Sequence, residues 1–434
     1  MKTNCRSQLE SALEPLQIDR LARQTGFRRR KPKKLWPLTF LQSCCLLLVE
    51  KKVSFRRWAM LIGVLTNKTY AKQSLFERMT GRAVAFVQGV VLRLVGQLSL
   101  GQERVLPAVL AAFKRLLIHD STIVTLPAKL ARFFPGSRNQ RGSKAGMIRL
   151  QGLYDLKHEC FIHFSHSAFR RNDQALAHEV LAYLRAGDLL LRDLGYLVLW
   201  VLREIQKRKA FFLSRFKHNL LVFRSDGRPL DLVALLSHRT APLDQDVLVG
   251  AQEQLPVRLV ALKVSEEVAN LRRHRARHNR HHPHPSQKHL LLLGWDLLMT
   301  NASPQQLPTA VVAKVYHLRF HIETIFKAWK SHFQLQDVPA GSRTQVETLL
   351  YARLLLITIF QVCFLARWQY QFQDQASPLS LLKVAAFMQL YLPVTLLGEL
   401  QPHLEAALQR QVPYHCGYEK RRNRKNFVQQ LELT

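Results

Sequence analysis

The chain has 434 residues, 47% of them hydrophobic, enough to bury a sizeable core in one large domain or in two to three smaller ones. Its 64 Lys and Arg face only 30 Asp and Glu, a formal charge of +34 that calls for a polyanionic partner, nucleic acid ahead of an anionic membrane surface. Six cysteines without a C-x-x-C pair argue against a zinc framework or a thioredoxin-like motif and suit a reducing compartment, and Met1 to Gln17 carries no secretory pattern.

Residues 1–106 read as a mostly helical, basic region suited to DNA binding. Phe40 to Val49 and Ser74 to Val95 have helical spacing, and Arg28-Arg29-Arg30-Lys31 with Lys33 and Lys34 forms the first of three basic runs. The pattern changes near residue 107. Arg115 to Thr125 predicts a buried strand with a polar break, and Pro135-Gly136-Ser137 predicts a turn. Met147 to Leu156 and Cys160 to Ser167 predict two more strands. Asp173 is placed to cap a helix running to about Arg185. Leu189 to Asp193 is a short apolar strand, Leu194 to Lys209 a helix, and Phe211 to Phe216 and Leu220 to Phe223 strands. Three strands, a helix, a strand and a helix, with Asp120 and Asp193 near strand ends, is the order of a ribonuclease-H-like α/β core. In such a sheet the site opens at strand ends.

Residues 220–304 break that alternation. Their short apolar runs (Asp231 to Leu236, Val257 to Val264, Leu290 to Met299) predict a mainly β insertion, and it carries the second basic run, Arg272 to Lys288. His274 and His278 there have i,i+4 ligand spacing. With no Cys or acidic ligand nearby, a DNA-contacting segment is the better reading. Helix resumes near Pro304. Leu349 to Ala366 is apolar enough to span a membrane, but Arg353 and Gln361 interrupt it and favour a buried core helix. The third basic run, Lys420 to Lys425, ends a helical region, 371–434.

One helix concentrates the chemistry. On a 100° helical wheel, Tyr316, Arg319, Glu323 and Lys330 share an arc of roughly 60°. Val315, Ile322, Phe326, Trp329 and Phe333 fill the neighbouring arc, so one face can pack on a sheet while the next presents a carboxylate flanked by two cations and a phenol. An ordinary i,i+4 Arg–Glu pair explains Arg319 and Glu323 but not the other two.

Tyr316-x2-Arg319-x3-Glu323-x6-Lys330 resembles the signature of the bacterial insertion-sequence 4 family of DDE transposases. Asp120-Ser-Thr122 resembles that family's first-aspartate motif, Asp193-Leu-Gly-Tyr196 its second, and Trp295 to Asn301 the end of its β insertion. The likeness covers roughly residues 70–365. It implies that Asp120, Asp193 and Glu323 hold two Mg²⁺ ions, with Mn²⁺ able to substitute. Tyr316, Arg319 and Lys330 would hold a DNA phosphate, and Trp295 would stack on a flipped base, a buried strand aromatic being the other reading of Trp295.

The resemblance also implies cut-and-paste transposition through a hairpinned end. Its expected setting is a DNA-bound homodimer acting on terminal inverted repeats and target DNA, in the bacterial cytoplasm at the nucleoid, with no membrane partner. Mg²⁺ prefers oxygen ligands, and paired metals serve an in-line displacement at phosphorus. The core is expected over 107–219 and 305–370. Asp188 rivals Asp193 as the second carboxylate but precedes the apolar run, and Asp155 and Asp173 read as a turn residue and a helix cap. The rival functions are a nuclease that does not join ends, a membrane-surface protein, and a catalytically silent DNA-binding descendant of a transposase.

Overall fold

The computed structural model describes residues 13–49, 53–98, 107–138, 144–279, 284–365, 368, 371–372, 379–389, 391–397 and 402–417. The basic run Lys420 to Lys425 lies outside them. Among the described residues ten strands form one sheet: β1 (Leu116–Leu126), β2 (Pro135–Arg138), β3 (Lys144–Asp155), β4 (Cys160–Ala168), β5 (Leu189–Arg192), β6 (Phe211–Arg215), β7 (Val222–Phe223), β8 (Leu243–Val249), β9 (Leu255–Lys263) and β10 (Trp295–Thr300). They run in the order β2-β3-β1-β5-β6-β10-β9-β8-β7, with β4 also on β3. β4, β3 and β1 are an antiparallel meander, and β5 and β6 follow parallel to β1. This is a ribonuclease-H-like mixed sheet.

The alternation of side chains builds a core on each face. Leu116 and Ile118 of β1 and Leu189 and Leu191 of β5 pack on one side, with the helices Pro37–Val49, Gly81–Leu98 and Arg343–Phe360. Leu117 and Leu190 pack on the other, with the helix Leu199–Lys207. β5 is buried along its whole length, as its unbroken Leu run requires of a strand covered on both faces. Gly187 turns the chain into β5 at φ +89°, a conformation that a side chain would strain.

Several expected elements differ. Ser74 to Val95 is two helices, Lys72–Arg78 and Gly81–Leu98, bent by 77°; the break falls at Met79 and Thr80. Pro135 to Arg138 is a strand, not a turn, because it pairs with the start of β3. A Cβ on Gly136 would stand 2.6 Å from the Ala145 carbonyl, so only glycine lets the two backbones approach. Asn172, not Asp173, caps the short turn Asp173–Leu176, its side chain accepting from the Ala175 N–H. The expected helix to Arg185 is that turn and a 3-10 turn, Glu179–Ala182.

Residues 220–304 hold helix as well as strand: Leu232–Ser237, Glu266–Arg277 and Gln287–Leu292 accompany β7 to β10. Asp231 begins the first, its carboxylate accepting from Val233 and Ala234, a cap that outweighs the apolar run's strand tendency. The strands extend the core sheet rather than forming another. β10 lies antiparallel to β6, and Asn301 just beyond it accepts from the Phe212 N–H and donates to the Ala210 carbonyl. Buried Arg258 on β9 ties Asp244 to the Ala302 and Leu307 carbonyls and to Thr309. That network holds the segment against the helix Thr309–His317, which leads into the site.

The first basic run is fastened to the helical region. Arg28 pairs with Asp19 and covers the Trp36 ring, Lys34 donates to the Thr69 carbonyl, and Lys68 donates to that of Lys33. Arg353, inside the apolar helix Arg343–Phe360, is buried and satisfied by the Phe333 and Asp337 carbonyls. Among the described residues no single helix is long and apolar enough to cross a membrane.

Candidate active site

Parallel pairing of β1 with β5 sets His119 against Arg192. Asp120 and Asp193, one residue on, therefore stand side by side. Asp193 leaves the sheet in extended backbone, heading the 3-10 turn Leu194–Tyr196. Asp188, the rival, immediately precedes β5 at its other end. It is fully buried, takes two hydrogen bonds from Arg115 at 2.9 and 2.5 Å and a third from the Arg185 N–H, and so braces the opposite end of these strands.

The third carboxylate arrives from the helical side. The chain runs from Thr309–His317 through a 3-10 turn, Leu318–Phe320, into the helix His321–Ser331, rather than as one uniform helix. A 3-10 turn eclipses residues three apart, and it lines Tyr316 up with Arg319, whose guanidinium carbon is 6.0 Å from the Tyr316 ring centroid. The predicted packing face holds: Val315, Ile322, Phe326, Trp329 and Phe333 are all buried.

Arg319 is the centre of the arrangement. It lies 3.0 Å from Asp120, 3.1 Å from Glu323 and 3.8 Å from Asp193, and its side chain is only 7% exposed. Burial pushes the Asp120 carboxyl up to about 6, against the pull of Arg319; Asp193 and Glu323 add to the rise. Burial opposes charge on Arg319, but Tyr316 and the three carboxylates outweigh it and raise its pKa. Tyr316 is held neutral, its phenol pushed up to about 12 by burial first. An open cleft of about 450 Å³ beside Glu323 is lined by Ser121, Thr122, Phe326, Lys327, Lys330 and Ser331, so Lys330 faces the same space as the carboxylate.

Three carboxylates are the hard oxygen donors that Mg²⁺ takes, and by chemistry they fit a divalent metal. Their present spacing is set by the guanidinium: among the described residues no three His, Cys, Asp or Glu groups close on one ion position. That includes His274 and His278, whose rings stack 4.1 Å apart; His281 and His282 lie outside the described residues. Trp295 heads β10 at 6% exposure and packs in the second core, away from solvent.

Sequence reasoning missed a polar layer behind the aspartates. Arg192 is buried, donates to the Ala177 carbonyl, and lies 3.2 Å from His119 Nδ1. Burial, then the charge of Arg192, drives the His119 pKa down, so the ring is neutral and Nδ1 accepts. Asp173 lies in the same layer. No local pattern marks these residues, because their partners are distant in sequence.

A family model described as "Transposase DDE domain" matches residues 111–359, more than half of the chain and the span that carries all three carboxylates. The transposase of insertion sequence element IS231F from Bacillus thuringiensis subsp. israelensis is 26% identical over 406 residues, covering 88% of this chain and 84% of that protein. The transposase of IS231D from Bacillus thuringiensis subsp. finitimus is 27% identical over 368 residues, 80% of this chain and 76% of that protein. The transposase of IS1151 from Clostridium perfringens is 24% identical over 317 residues, 68% and 67% respectively. With the family's domain spanning the sheet, both aspartates and the Glu323 helix, the chain belongs to the DDE-domain transposases.

Proposed function

We propose that the chain cuts DNA at the ends of its own insertion sequence and joins them to a target, a cut-and-paste reaction passing through a hairpinned end. The observation that carries this reading is the convergence of Asp120, Asp193 and Glu323 on Arg319, within 3.8 Å. Three segments far apart in sequence meet there, and a lysine-lined cleft opens beside them.

Asp120, Asp193 and Glu323 would hold Mg²⁺, or Mn²⁺ in its place. The metals supply an activated nucleophile and charge stabilisation at phosphorus. Arg319 and Lys330, with Tyr316, hold the DNA phosphate at the cleft. A planar guanidinium matches phosphate oxygens, while an ammonium acts as a point charge. A phosphate there competes with the carboxylates for Arg319, so its arrival frees them. Trp295 stacks on a base turned out of the duplex, which requires it to leave the second core when DNA binds. The Tyr-Arg-Glu-Lys spacing supports placement in the insertion-sequence 4 group. Residues 1–106 and 371–434 supply DNA contacts around a core of 107–219 and 305–370. Two ends cut together call for a DNA-bound homodimer, acting in the bacterial cytoplasm at the nucleoid.

The test is cleavage of labelled duplex carrying the inverted repeats that flank the gene, with Mg²⁺ and with EDTA, by wild type and Glu323→Ala. Metal-dependent nicks, hairpins and joined products that vanish in the variant support the reading. Specific end binding without cleavage in any metal assigns the chain instead to silent DNA-binding descendants.

A further inference from the structure

Asp120 shares its face of β1 with Ile118, which packs in the core with Ile322 and Phe326 of the Glu323 helix. Ser121 borders the cleft beside Glu323, but its hydroxyl turns to the opposite face to meet Asp173, the side of His119 and Tyr196, whose rings are 4.3 Å apart. On that reverse face one carboxylate gathers the neighbouring strands. Asp173 Oδ1 accepts from Ser121 Oγ of β1 at 2.9 Å and from Gln151 Nε2 of β3 at 3.1 Å. Arg149 of β3 donates to both oxygens, at 3.0 and 2.9 Å.

The links run on into the catalytic side. The Ser121 N–H donates to Asp120 Oδ1 at 2.8 Å. Gln151 accepts from the Tyr196 hydroxyl, and Tyr196 closes the turn that Asp193 begins. A Cβ built on Gly195 stands 3.6 Å from Asp173 Oδ2 and 3.9 Å from Asp193 Oδ2, so the two carboxylates flank the same glycine. Arg149, at 11% side-chain exposure, holds Asp173 as a partner within the protein rather than a free ligand. A helix cap would need none of this, and Asn172 already fills that role.

We infer that Asp173 is a positioning residue for the proposed cleavage reaction: it fixes the spacing of Asp120 and Asp193 from behind the sheet without touching the DNA. This role rests on the function proposed above. Groups that orient metal-binding carboxylates commonly cost about 10–100-fold when removed.

The test uses the full chain with Asp173→Ala and Asp173→Asn, the end-bearing duplex, and Mn²⁺ titrated without DNA by electron paramagnetic resonance. The expected result is cleavage slowed about 10–100-fold and weaker Mn²⁺ binding in the Ala variant. Asn, which keeps an oxygen for Ser121 and Gln151, should suffer less. End binding in EDTA should stay close to wild type; the melting temperature should fall, because Arg149 loses a largely buried partner, so cleavage and Mn²⁺ binding are read per folded molecule, well below the melting transition. Wild-type cleavage and Mn²⁺ affinity in Asp173→Ala overturn the positioning role alone. So does a loss of cleavage that only tracks a fall in the folded fraction and in end binding. A wild-type chain that neither cleaves nor binds Mn²⁺ overturns the proposed function and this role with it.

Discussion

His119 on β1 sits directly opposite Arg192 on the parallel strand β5, and the residue after each is an aspartate of the candidate site. That register decides which acidic residues meet. Slipping either strand by one residue would send its carboxylate to the other face. Replacing Asp193 by Asn or Glu323 by Gln should lower end cleavage more than about a hundredfold, beyond what losing an orienting group costs. Both side chains are about half exposed, so folding and end binding in EDTA should survive. Parallel rate and gel-shift measurements check this. Cleavage that persists in either variant removes that residue from the site.

Asp188→Asn should behave in the opposite way. Asp188 and Arg115 form a buried pair, and removing one member of such a pair typically costs about 3–5 kcal/mol. The variant should melt earlier, while the fraction that remains folded cleaves at the wild-type rate. Thermal melts with active-site titration separate the two effects. A normal melting temperature together with lost cleavage would reverse the roles given to Asp188 and Asp193.

The site and the core were legible in the sequence where local pattern carried them. Apolar runs mark β1, β3, β4, β5 and β6, and the helical wheel put Ile322, Phe326 and Trp329 on the buried face they occupy. What escaped depended on distant partners. Pro135 to Arg138 reads as a turn until β3 pairs with it. Asp173 reads as a cap until Ser121, Arg149 and Gln151 surround it. Short apolar runs suit strand or helix equally, and at Leu232–Ser237 the Asp231 cap decided for helix. The 3-10 turn at Leu318–Phe320 left the spacing of Tyr316, Arg319 and Glu323 readable, because three- and four-residue offsets stay on one side either way.

Acid should switch the site off through Asp120. Its carboxyl, pushed up to about 6, is ionised above that pH and protonated below it, and protons compete with metal for the anion. Cleavage at limiting Mg²⁺ should fall as the pH drops through about 6, and more metal should move the midpoint lower. A midpoint that ignores metal concentration would remove Asp120 as its cause. Stability should show the reverse face of the same property. A rise from 3.8 to about 6 sets about 3 kcal/mol against the anion in the folded metal-free chain. Asp120→Asn should therefore raise the metal-free melting temperature above pH 6. The advantage should shrink as the pH falls through about 6 and vanish only well below 3.8, where wild type is protonated in both states.

Arg319 offers the sharpest separation of structure from chemistry. It is the counter-cation of three carboxylates, two of them half exposed, so most of its worth comes from Asp120. Exposed pairs add little, and losing the partner of a buried charge costs about 3 kcal/mol or more. Arg319→Ala should destabilise the metal-free chain by about 3 kcal/mol or somewhat more on that basis. Divalent metal should then restore stability in the variant more than it adds to wild type, since a cation that binds only the folded state stabilises it in proportion to its occupancy. Arg319→Lys should recover part of the stability but little of the cleavage, because one ammonium cannot bridge as a planar fork does. Melting curves with and without Mn²⁺ decide it. Equal metal effects in wild type and variant would mean that Arg319 and the metal do not share a site.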